Sequence, residues 1–403
     1  MPPATERIDL EDDQRFALMK FRRNVKDICT KPDHDDHFLL RWLKARNFDP
    51  EAAEKMLRES MKWRERWGVD DLEHWEPPEV LQKYYPSGIS GFDKDGSPIV
   101  VIPFAGLDMY GLLHCVSKSD VVKATIKMLE SYIKVAQEQT KIHGQKAAQV
   151  MCVIDMVDFN LRQYAWRPAG EVTLNMIQMY EANYPEILKV CYVVNAPKIF
   201  SLAFSIVKNF LNDYTIGKIH ITKTDPAKWK ALLLTKADPD QLPAHFGGTQ
   251  TDPDGNPRCT MKIRQGGKIH KSYYVKRGDK IADSDNGDYC TATVKKGEKL
   301  RLSFVAPVGG SFLKWSFRTD SHDIRFGIKS QDEEGNEAIV VPLKRVAAHQ
   351  MDEVGVTTLP VPCTYTVLFD NSYSFLRSKK LQYNIAVTPP IDEDGAPDIS
   401  RTD

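Results

Sequence analysis

The residues that could perform metal or acid–base chemistry lie in two short stretches. His34 and His37 are three positions apart with two aspartates between them, a spacing that could surround a metal ion. The same stretch begins a helical pattern, however, and an aspartate there caps the helix backbone. Asp155 and Asp158 come after an apolar run and could form a carboxylate pair. The simpler interpretation is that they end a strand and cap the next segment, so we expect neither a metal site nor a catalytic pair.

Common catalytic and nucleotide-binding motifs do not occur in the sequence. H-E-x-x-H, G-x-S-x-G, G-x-x-x-x-G-K-S/T and G-x-G-x-x-G are all missing. Gly247-Gly248 follows a helical pattern with no strand just before it, which does not fit a phosphate cradle. The sequence therefore predicts a protein that is not an enzyme and that uses no metal or nucleotide cofactor.

Glu186 and Lys218 form a different kind of candidate site. Glu186 follows Tyr184-Pro185, and Lys218 opens a strand-like run. A single Glu or Lys is usually a solvated surface residue. These two flank a broad apolar helix, which makes the pair a candidate for binding a polar headgroup.

That helix is predicted over residues 197–211, PKIFSLAFSIVKNFL. Pro197 suits a first helical turn, where a missing N–H is no loss. At 100° per residue the apolar side chains fill an arc of roughly 200°, against about 100° for an ordinary surface helix. So wide a face needs a partner on two sides, which could be core, bilayer or bound lipid. The arc consists of Ile199, Phe200, Leu202, Ala203, Phe204, Ile206, Val207, Phe210 and Leu211.

Composition limits the class of protein. The 403 residues predict two or three domains, and the formal net charge of zero gives no global attraction to nucleic acid, so we expect no nucleic-acid partner. Seven scattered cysteines without a C-x-x-C pair indicate reduced thiols in the cytosol. No run of 18 apolar residues predicts a membrane span, and the polar N-terminus has no apolar signal core. We therefore expect a cytoplasmic protein that is at most peripheral and transient at membranes.

The chain divides into four parts by pattern. Residues 1–75 read as helices, and residues 76–250 alternate apolar strand runs with helices, which is typical of a mainly parallel sheet. Residues 251–390 alternate apolar and polar residues between turns, which predicts an antiparallel β-sandwich. Residues 391–403 are acidic and predicted to be disordered. The strands of the α/β part are expected at 98–102, 150–155, 190–195 and 218–222, and its other helices at 119–141, 167–182 and 225–234.

Three stretches resemble the CRAL-TRIO lipid-transfer family. They are LLRWLKARNFDPEAAEKML, YEANYPEILKVCYVVNAPKIFSLAFSIVKNFL and LPAHFGGT, in the family's order and spacing between residues 10 and 250. The remainder, with LFDNSYSFLRSKKLQYNI near its end, resembles a GOLD domain. The combination is similar to an animal branch of the family, and the resemblance covers nearly the whole chain.

The resemblance implies a role for the apolar helix. In the family, the helix matching 197–211 is a mobile gate over a lipid cavity that the parallel sheet floors. One flank of the arc would then pack on the domain, and the other would face ligand when closed and bilayer when open. Candidate cavity residues, each of which could equally be ordinary core, are Val101, Ile102, Val150, Cys152, Ile154, Tyr164, Met176, Met179 and Tyr180.

The resemblance also implies a candidate phosphoinositide headgroup site. Phosphatidylinositol-transferring members use a Glu after Tyr-Pro, a Thr, a Lys three residues after that Thr, and an Arg of the N-terminal motif. Glu186, Thr215, Lys218 and Arg46 stand at those places. A phosphate is bound by cations and hydroxyl donors. Relatives with other cargo keep the Glu and Lys as an ion pair, so both interpretations stay open.

The strand at 150–155 bears on the choice of cargo. Where phosphatidylcholine-exchanging members carry Ser and Thr, this chain has Val150 and Cys152. A buried phosphate left beside them would cost several kcal/mol, about the cost of an unsatisfied polar group. The sequence therefore favours an apolar cargo with one small polar end, such as a tocopherol, retinoid or other isoprenoid. The alternatives are a phosphatidylinositol transfer or sensor protein, and an adaptor whose GOLD domain binds a protein partner.

Overall fold

The computed structural model describes residues 9–159, 164, 166–222, 225–275, 289–306, 308–332, 334–350 and 352–390. The predicted tail at 391–403 lies outside these residues. Two compact units are present. The first comprises the described residues up to Glu76, with those of Tyr84–Met109 and Val122–Lys268. The second comprises Pro77–Lys83, Tyr110–Val121 and the described residues from Ile269 onward.

The described residues contain ten α-helices, numbered here in chain order. They are α1 Asp12–Asn24, α2 Asp36–Lys44, α3 Pro50–Trp67, α4 Glu79–Tyr84, α5 Met109–Cys115, α6 Lys118–His143, α7 Arg167–Asn183, α8 Phe200–Val207, α9 Asp213–Gly217 and α10 Pro226–Lys236. Short 3₁₀ turns occupy Val69–His74, Phe104–Gly106, Gln145–Ala147, Lys208–Phe210, Pro239–Gln241, Ala244–Phe246 and Lys271–Tyr273.

Thirteen strands are formed by the described residues. They are β1 Gly88–Phe92, β2 Pro98–Pro103, β3 Val150–Asp155, β4 Leu188–Val194, β5 Ile219–Ile221, β6 Cys290–Val294, β7 Lys299–Ala306, β8 Ser311–Thr319, β9 Ile324–Gln331, β10 Glu337–Val346, β11 Glu353–Leu359, β12 Cys363–Asp370 and β13 Lys379–Thr388.

Capping residues define the N-terminal helices as the sequence predicts. The Asp35 side chain accepts from the Phe38 N–H at the start of α2, and Asp49 accepts from the backbone N–H groups of Glu51 and Ala52 at the start of α3. Gly68 ends α3 at φ 59°, a left-handed conformation that suits glycine. The apolar faces of α1, α2 and α3 meet in one buried cluster around Phe21, Leu43 and Leu57.

The sheet of the first unit has the order β1-β2-β3-β4-β5. Strands β2 to β5 are parallel, while β1 is antiparallel to β2. The mainly parallel sheet is therefore confirmed, and all four predicted strands and three predicted helices lie within two residues of their observed ends. The sequence did not predict β1, since its GISGF segment is short and contains two glycines.

Successive residues of this sheet alternate between two covered faces. On one face Val101, Val153 and Val194 pack with Trp229 and Leu233 of α10. The other face is divided between two clusters. The first cluster contains Ile102 and Val150 together with Met179 of α7. The second cluster contains Cys152 and Ile154 together with Phe200 of α8. The second face is therefore the one that α8 covers.

The second unit contains the predicted antiparallel sandwich. One sheet has the order β10-β9-β12-β7 and the other β11-β8-β13-β6. Aromatic rings fill the space between the sheets: Phe317 of β8 lies edge-on to Phe369 of β12, with ring centroids 4.9 Å apart, and Phe326 of β9 lies 4.8 Å from Phe317. The alternation seen in the sequence is what places one side of each strand in this core.

Two segments from earlier in the chain belong to the sandwich unit. The Glu79 carboxylate accepts from the Thr358 N–H at 2.8 Å and from its hydroxyl at 2.6 Å. The Val275 N–H donates to the His114 carbonyl at 2.8 Å. A linear division of the chain cannot express this discontinuous arrangement, and the domain limits drawn from sequence stay a prediction.

The described residues include seven cysteines, and all of them are free thiols. Within the same part of the chain, every helix is too short or too polar to cross a bilayer.

Candidate functional site

The predicted apolar helix begins later and ends differently than its pattern suggests. The α-helix runs over Phe200–Val207, after a turn in which the Phe200 N–H donates to the Pro197 carbonyl at 2.9 Å. A 3₁₀ turn, Lys208–Phe210, continues it. No side chain of the helix or of this turn is buried. For so apolar a segment, this is unusual and calls for a partner.

The two flanks of α8 have different surroundings. On the inner flank Phe200 lies 5.9 Å from Phe159, edge to face, and 6.1 Å from Phe204 between ring centroids. On the outer flank Ile199, Leu202 and Ile206 are 45%, 57% and 52% exposed. The other members of the arc, which are half-buried, are Ala203, Phe204, Val207, Phe210 and Leu211.

Among the candidate cavity residues on strands, Val101 stands apart. Ile102, Val150, Cys152 and Ile154 belong to the clusters on the face that α6, α7 and α8 cover. Val101 packs on the opposite face, against Trp229. It therefore cannot line a cavity beneath α8 together with the other four.

Tyr164 lies on the inner side of the apolar helix. Its ring stacks on Phe104 and on Phe159, at 5.8 Å between centroids in both cases. Its hydroxyl is buried and has no hydrogen-bond partner in the part of the chain that the structure describes. Burial raises the pKa of this phenol, which therefore stays protonated. A buried hydroxyl without a partner can donate to, or accept from, one polar group of a bound molecule.

The candidates on α7 have partners of their own. The sulfur of Met176 accepts from the Thr125 hydroxyl at 3.2 Å and from the Tyr85 hydroxyl at 3.8 Å. Met179 and Tyr180 belong to the cluster that contains Val150. Met176 therefore contacts α6 and Tyr85, whereas Met179 and Tyr180 pack between α7 and the sheet.

Cys152 and Cys191 are neighbours across β3 and β4, where they are paired in register. Their thiols are hydrogen-bonded, and this contact, together with burial, raises the pKa of Cys191 well above its usual value. Cys191 is therefore protonated, and the two side chains form a weakly polar part of the sheet face beneath α8.

The structure brings Glu186, Thr215 and Lys218 together around a small cavity that Tyr180 and Asn212 also line. The Lys218 ammonium lies 3.3 Å from the Glu186 carboxylate and 4.2 Å from the centre of the Tyr214 ring. Burial lowers the pKa of Lys218, and the attraction of Glu186 opposes that effect. The arrangement is a half-buried ion pair whose cation lies over an aromatic ring.

Arg46 is not among the residues that line this cavity, and a different arginine lies close to the pair. The Arg46 guanidinium donates to the carbonyl oxygen of Ala45 at 2.8 Å. Arg41 donates from Nε to the Pro185 carbonyl at 3.0 Å, and burial lowers its pKa to about 10. Together with Glu186, Arg41 lines a cleft of about 650 Å³. Sequence analysis missed Arg41, although a charge inside the apolar run LLRWL was a usable signal.

Asp155 ends β3 as predicted, and its contacts are structural. Its carboxylate accepts from Asn195 Nδ2 at 2.8 Å and from the Val157 N–H at 3.1 Å, and it lies 3.1 Å from His245 Nε2. Burial alone would raise the pKa of Asp155, but the hydrogen bonds from His245 and Asn195 hold it below its ordinary value. Asp155 therefore anchors the segment LPAHFGGT to the sheet, whereas Asp158 is exposed.

The glycine pair of that segment serves close backbone packing. Gly247 adopts φ 93°, and a Cβ on Gly248 would lie 2.0 Å from the Leu242 carbonyl oxygen. At the histidine pair of the N-terminal helices, His34 stacks on Phe38 with 4.6 Å between ring centroids. The described part of the chain contains no cluster of three or more metal-ligating side chains.

Two family models match the chain. The model described as "CRAL/TRIO, N-terminal domain" matches residues 8–59, and the model described as "CRAL/TRIO domain" matches residues 82–248. Together they account for more than half of the sequence. The two antiparallel sheets that come after them fit a GOLD-like domain.

Similar proteins are found over different lengths. The chain is 26% identical to Protein ctg-1 of Caenorhabditis elegans over 91% of this chain and 95% of that protein. It is 31% identical to Protein real-time of Aedes aegypti over 65% of this chain, but only 39% of that protein is covered. Among solved structures, that of Sfh5 matches 64% of this chain and 93% of its own, with 16% identity and a TM-score of 0.45.

Proposed function

The chain belongs to the CRAL-TRIO family, a family of lipid-binding transfer proteins, and we propose that it carries one hydrophobic lipid beneath α8 and exchanges it at a membrane. The observation that carries this proposal is that the two flanks of α8 have different environments, although both are apolar. Its inner flank meets Phe159 and the sheet face, while Leu202 and Ile206 on its outer flank are about half exposed. A helix that is apolar on both flanks and buried on neither suits a gate that exchanges ligand contacts for bilayer contacts.

The sheet face beneath α8 supports a mostly apolar cargo. Cys152, Ile154 and Phe200 form one apolar cluster with Phe104 and Phe159, and the Tyr164 ring, whose hydroxyl has no partner among the described residues, stacks on those two phenylalanines. Burial of an isoprenoid chain stabilises a complex by roughly 0.8 kcal/mol per methylene-sized group. Sub-micromolar affinity needs only about −8 kcal/mol after ordering and association costs. A tocopherol, a retinoid or another isoprenoid with one hydroxyl would meet both requirements.

The gate acts by alternating the partner of its apolar surface. With cargo bound, the inner side chains of α8 contact the ligand, and the outer ones face water. At a bilayer the whole arc can be covered by acyl chains, which removes the cost of leaving the inner face uncovered while the cargo departs. No covalent step, metal or nucleotide enters this cycle, and we propose no enzymatic activity.

A phosphatidylinositol carrier or sensor is the second candidate. Glu186, Thr215 and Lys218 lie around one small cavity, and Arg41 contributes a half-buried cation to the neighbouring cleft. Against this, Lys218 is already paired with Glu186 at 3.3 Å. A phosphate would have to compete with that carboxylate. We therefore place the isoprenoid first.

Extraction of the purified protein separates the two candidates. We expect organic solvent to release a small isoprenoid mass, accompanied by a polyene absorption band if the cargo is a retinoid. A phosphatidylinositol mass would instead assign Glu186, Thr215 and Lys218 to headgroup binding and reverse the order of the candidates. Recovery of no lipid from protein that is folded and monodisperse would contradict both.

A further inference from the structure

The loop between β12 and β13 exposes two large apolar side chains in succession. Residues 371–378, here named the tip loop, carry Phe375 at 86% exposure and Leu376 at 88%. These are the two highest values among the exposed large hydrophobic residues of the described chain. Adjacent apolar residues left this open to water mark a contact with something else.

Hydrogen bonds hold the tip loop in shape. Asn371 is buried, and its side-chain NH₂ group donates to the carbonyls of Val294 and Lys295 at 3.1 Å and of Arg377 at 3.0 Å. The Ser374 hydroxyl also donates to the Arg377 carbonyl at 3.0 Å, and the Ser374 N–H donates to the Asn371 carbonyl at 3.1 Å. Both legs of the loop are thus tied together directly below Phe375 and Leu376. The exposure of these residues is built into the fold and does not come from a loose chain.

Positive charge surrounds the base of the tip loop. The Tyr373 ring has Arg345 at 4.3 Å and Arg325 at 4.9 Å from its centre, and its hydroxyl donates to the Asp323 carbonyl at 2.9 Å. Arg377, within the loop, and Lys380, at the start of β13, are exposed. The acidic groups near the tip include Asp323, which pairs with Arg345 at 2.7 Å and lies 3.8 Å from Lys379, and Asp320, whose N–H donates to the Lys380 carbonyl. They also include Asp370, which pairs with Lys299 at 3.4 Å, and Glu298, whose carbonyl accepts from the Asn371 N–H. Cations therefore outnumber anions around the tip.

We propose that the tip loop docks the sandwich unit on an anionic lipid surface, with Phe375 and Leu376 inserted between the headgroups and the flanking cations against lipid phosphates. A convex tip of two apolar side chains ringed by Arg and Lys matches an interface that is apolar inside and negatively charged outside. A protein partner would need a pocket for the tip and acidic groups around it. A bilayer surface offers both properties without a shaped pocket, and we therefore commit to the membrane.

This contact is separate from α8 and does not depend on the cargo. It would hold the protein at a membrane while cargo exchange takes place. Failure of the docking proposal therefore leaves the proposed function intact, because vesicle binding and lipid extraction measure the two separately.

The test is co-sedimentation of the full chain with phosphatidylcholine vesicles that contain or lack about 30% phosphatidylserine, near physiological salt. We expect binding to the anionic vesicles and weaker binding at high salt. The double variant Phe375→Ser/Leu376→Ser should reduce the partition coefficient by at least about tenfold, because two exposed apolar side chains no longer insert. Ile339→Ser is the matched control, since Ile339 is 70% exposed on β10 of the same unit. It should change binding less than about twofold.

Charge and insertion are tested independently. Arg377→Gln/Lys380→Gln should remove most of the preference for phosphatidylserine while keeping the unfolding temperature. The single variant Phe375→Trp should gain tryptophan quenching by brominated lipid over the wild-type background, which reports insertion even if the double serine variant fails to fold. Wild-type binding by a folded Phe375→Ser/Leu376→Ser variant, or a Phe375→Trp signal equal to the background, would overturn the proposal and point to a protein partner. Extraction of the same lipid from these variants as from wild type would show that cargo binding is unaffected.

Discussion

At the scale of single residues, the buried polar groups decide which side chains are structural and which await a ligand. The Asp155 carboxylate accepts hydrogen bonds from several donors. The Lys218 ammonium pairs with the Glu186 carboxylate and lies over the Tyr214 ring. The hydroxyl of Tyr164 has no partner among the described residues. Satisfied groups contribute to stability, whereas an unsatisfied one is a cost that bound cargo can remove.

Tyr164→Phe separates these two effects. We expect the ligand-free protein to be as stable as wild type or slightly more so, because the unpartnered hydroxyl is gone. Affinity for a hydroxyl-bearing isoprenoid should fall by about three- to tenfold, the value of one neutral hydrogen bond. Thermal unfolding measures the stability, and ligand titration measures the affinity. Unchanged affinity in this variant would show that Tyr164 does not contact the ligand.

Asp155 predicts a pH dependence of stability. Its pKa in the folded protein lies below its ordinary value of 3.8. The charged carboxylate therefore stabilises the fold above that ordinary value, and this contribution is lost as the pH falls through the lower, folded pKa. Asp155→Asn should cost roughly 2 kcal/mol at pH 7, and the difference from wild type should shrink below about pH 4. Urea unfolding at several pH values measures it.

Asp158→Asn is the control for that experiment, because Asp158 is exposed. Asparagine also tolerates the φ of 61° found there. We expect this variant to change the unfolding free energy by less than about 0.5 kcal/mol at any pH. A pH-independent loss in Asp155→Asn would show that shape, and not charge, is what the site requires.

Substitutions of Glu186 and Lys218 should have non-additive effects on the free energy of unfolding. Glu186→Gln leaves the half-buried Lys218 ammonium without its carboxylate and should destabilise the fold by about 2 kcal/mol. In Glu186→Gln/Lys218→Met the unpaired charge is also removed, so the double variant should be more stable than the single one. A double-mutant cycle in urea measures the coupling. Additive losses would mean that the two side chains do not act as an ion pair.

At the scale of elements, the proposed site consists of α8 and the strands beneath it. The wide apolar arc was readable from the sequence because it depends only on helical periodicity. The start of α8 at Phe200 was not, because the turn at Pro197 is set by backbone hydrogen bonds. The misplacement of Val101 was avoidable: adjacent strand residues point to opposite faces, so Val101 and Ile102 cannot share one cavity.

The outer flank of α8 can be tested without disturbing its inner contacts. Leu202→Asp/Ile206→Asp places two charges on side chains that are more than half exposed, so the fold should be retained. Transfer of lipid between vesicles should fall at least about tenfold, because the flank can no longer enter a bilayer. Ile142→Asp, at a site 72% exposed on α6, is the control and should transfer normally. Normal transfer by the α8 variant would show that this flank is not the membrane contact.

At the scale of the whole molecule, the sequence predicted the fold class and the order of its parts. The helices, the parallel sheet and the sandwich each have a distinct pattern of apolar residues along the sequence, and the structure forms the elements that these patterns predict. Contacts distant in sequence were not predictable in the same way. The assignment of Pro77–Lys83 and Tyr110–Val121 to the sandwich unit is one example. The contact of Arg41 with the Pro185 carbonyl is another, since the charge inside LLRWL singles out Arg41 but does not identify its partner.

The central claim is that one hydrophobic molecule lies beneath α8 against the β3 and β4 face. Native mass spectrometry of the wild type and of Cys152→Phe tests it most directly, because Cys152 is half-buried on that face beside Phe200. We predict that the wild type carries the mass of one lipid and that the larger side chain displaces it, while the control Ile142→Phe keeps it. Equal lipid occupancy in a folded Cys152→Phe variant would place the cargo elsewhere and contradict the account.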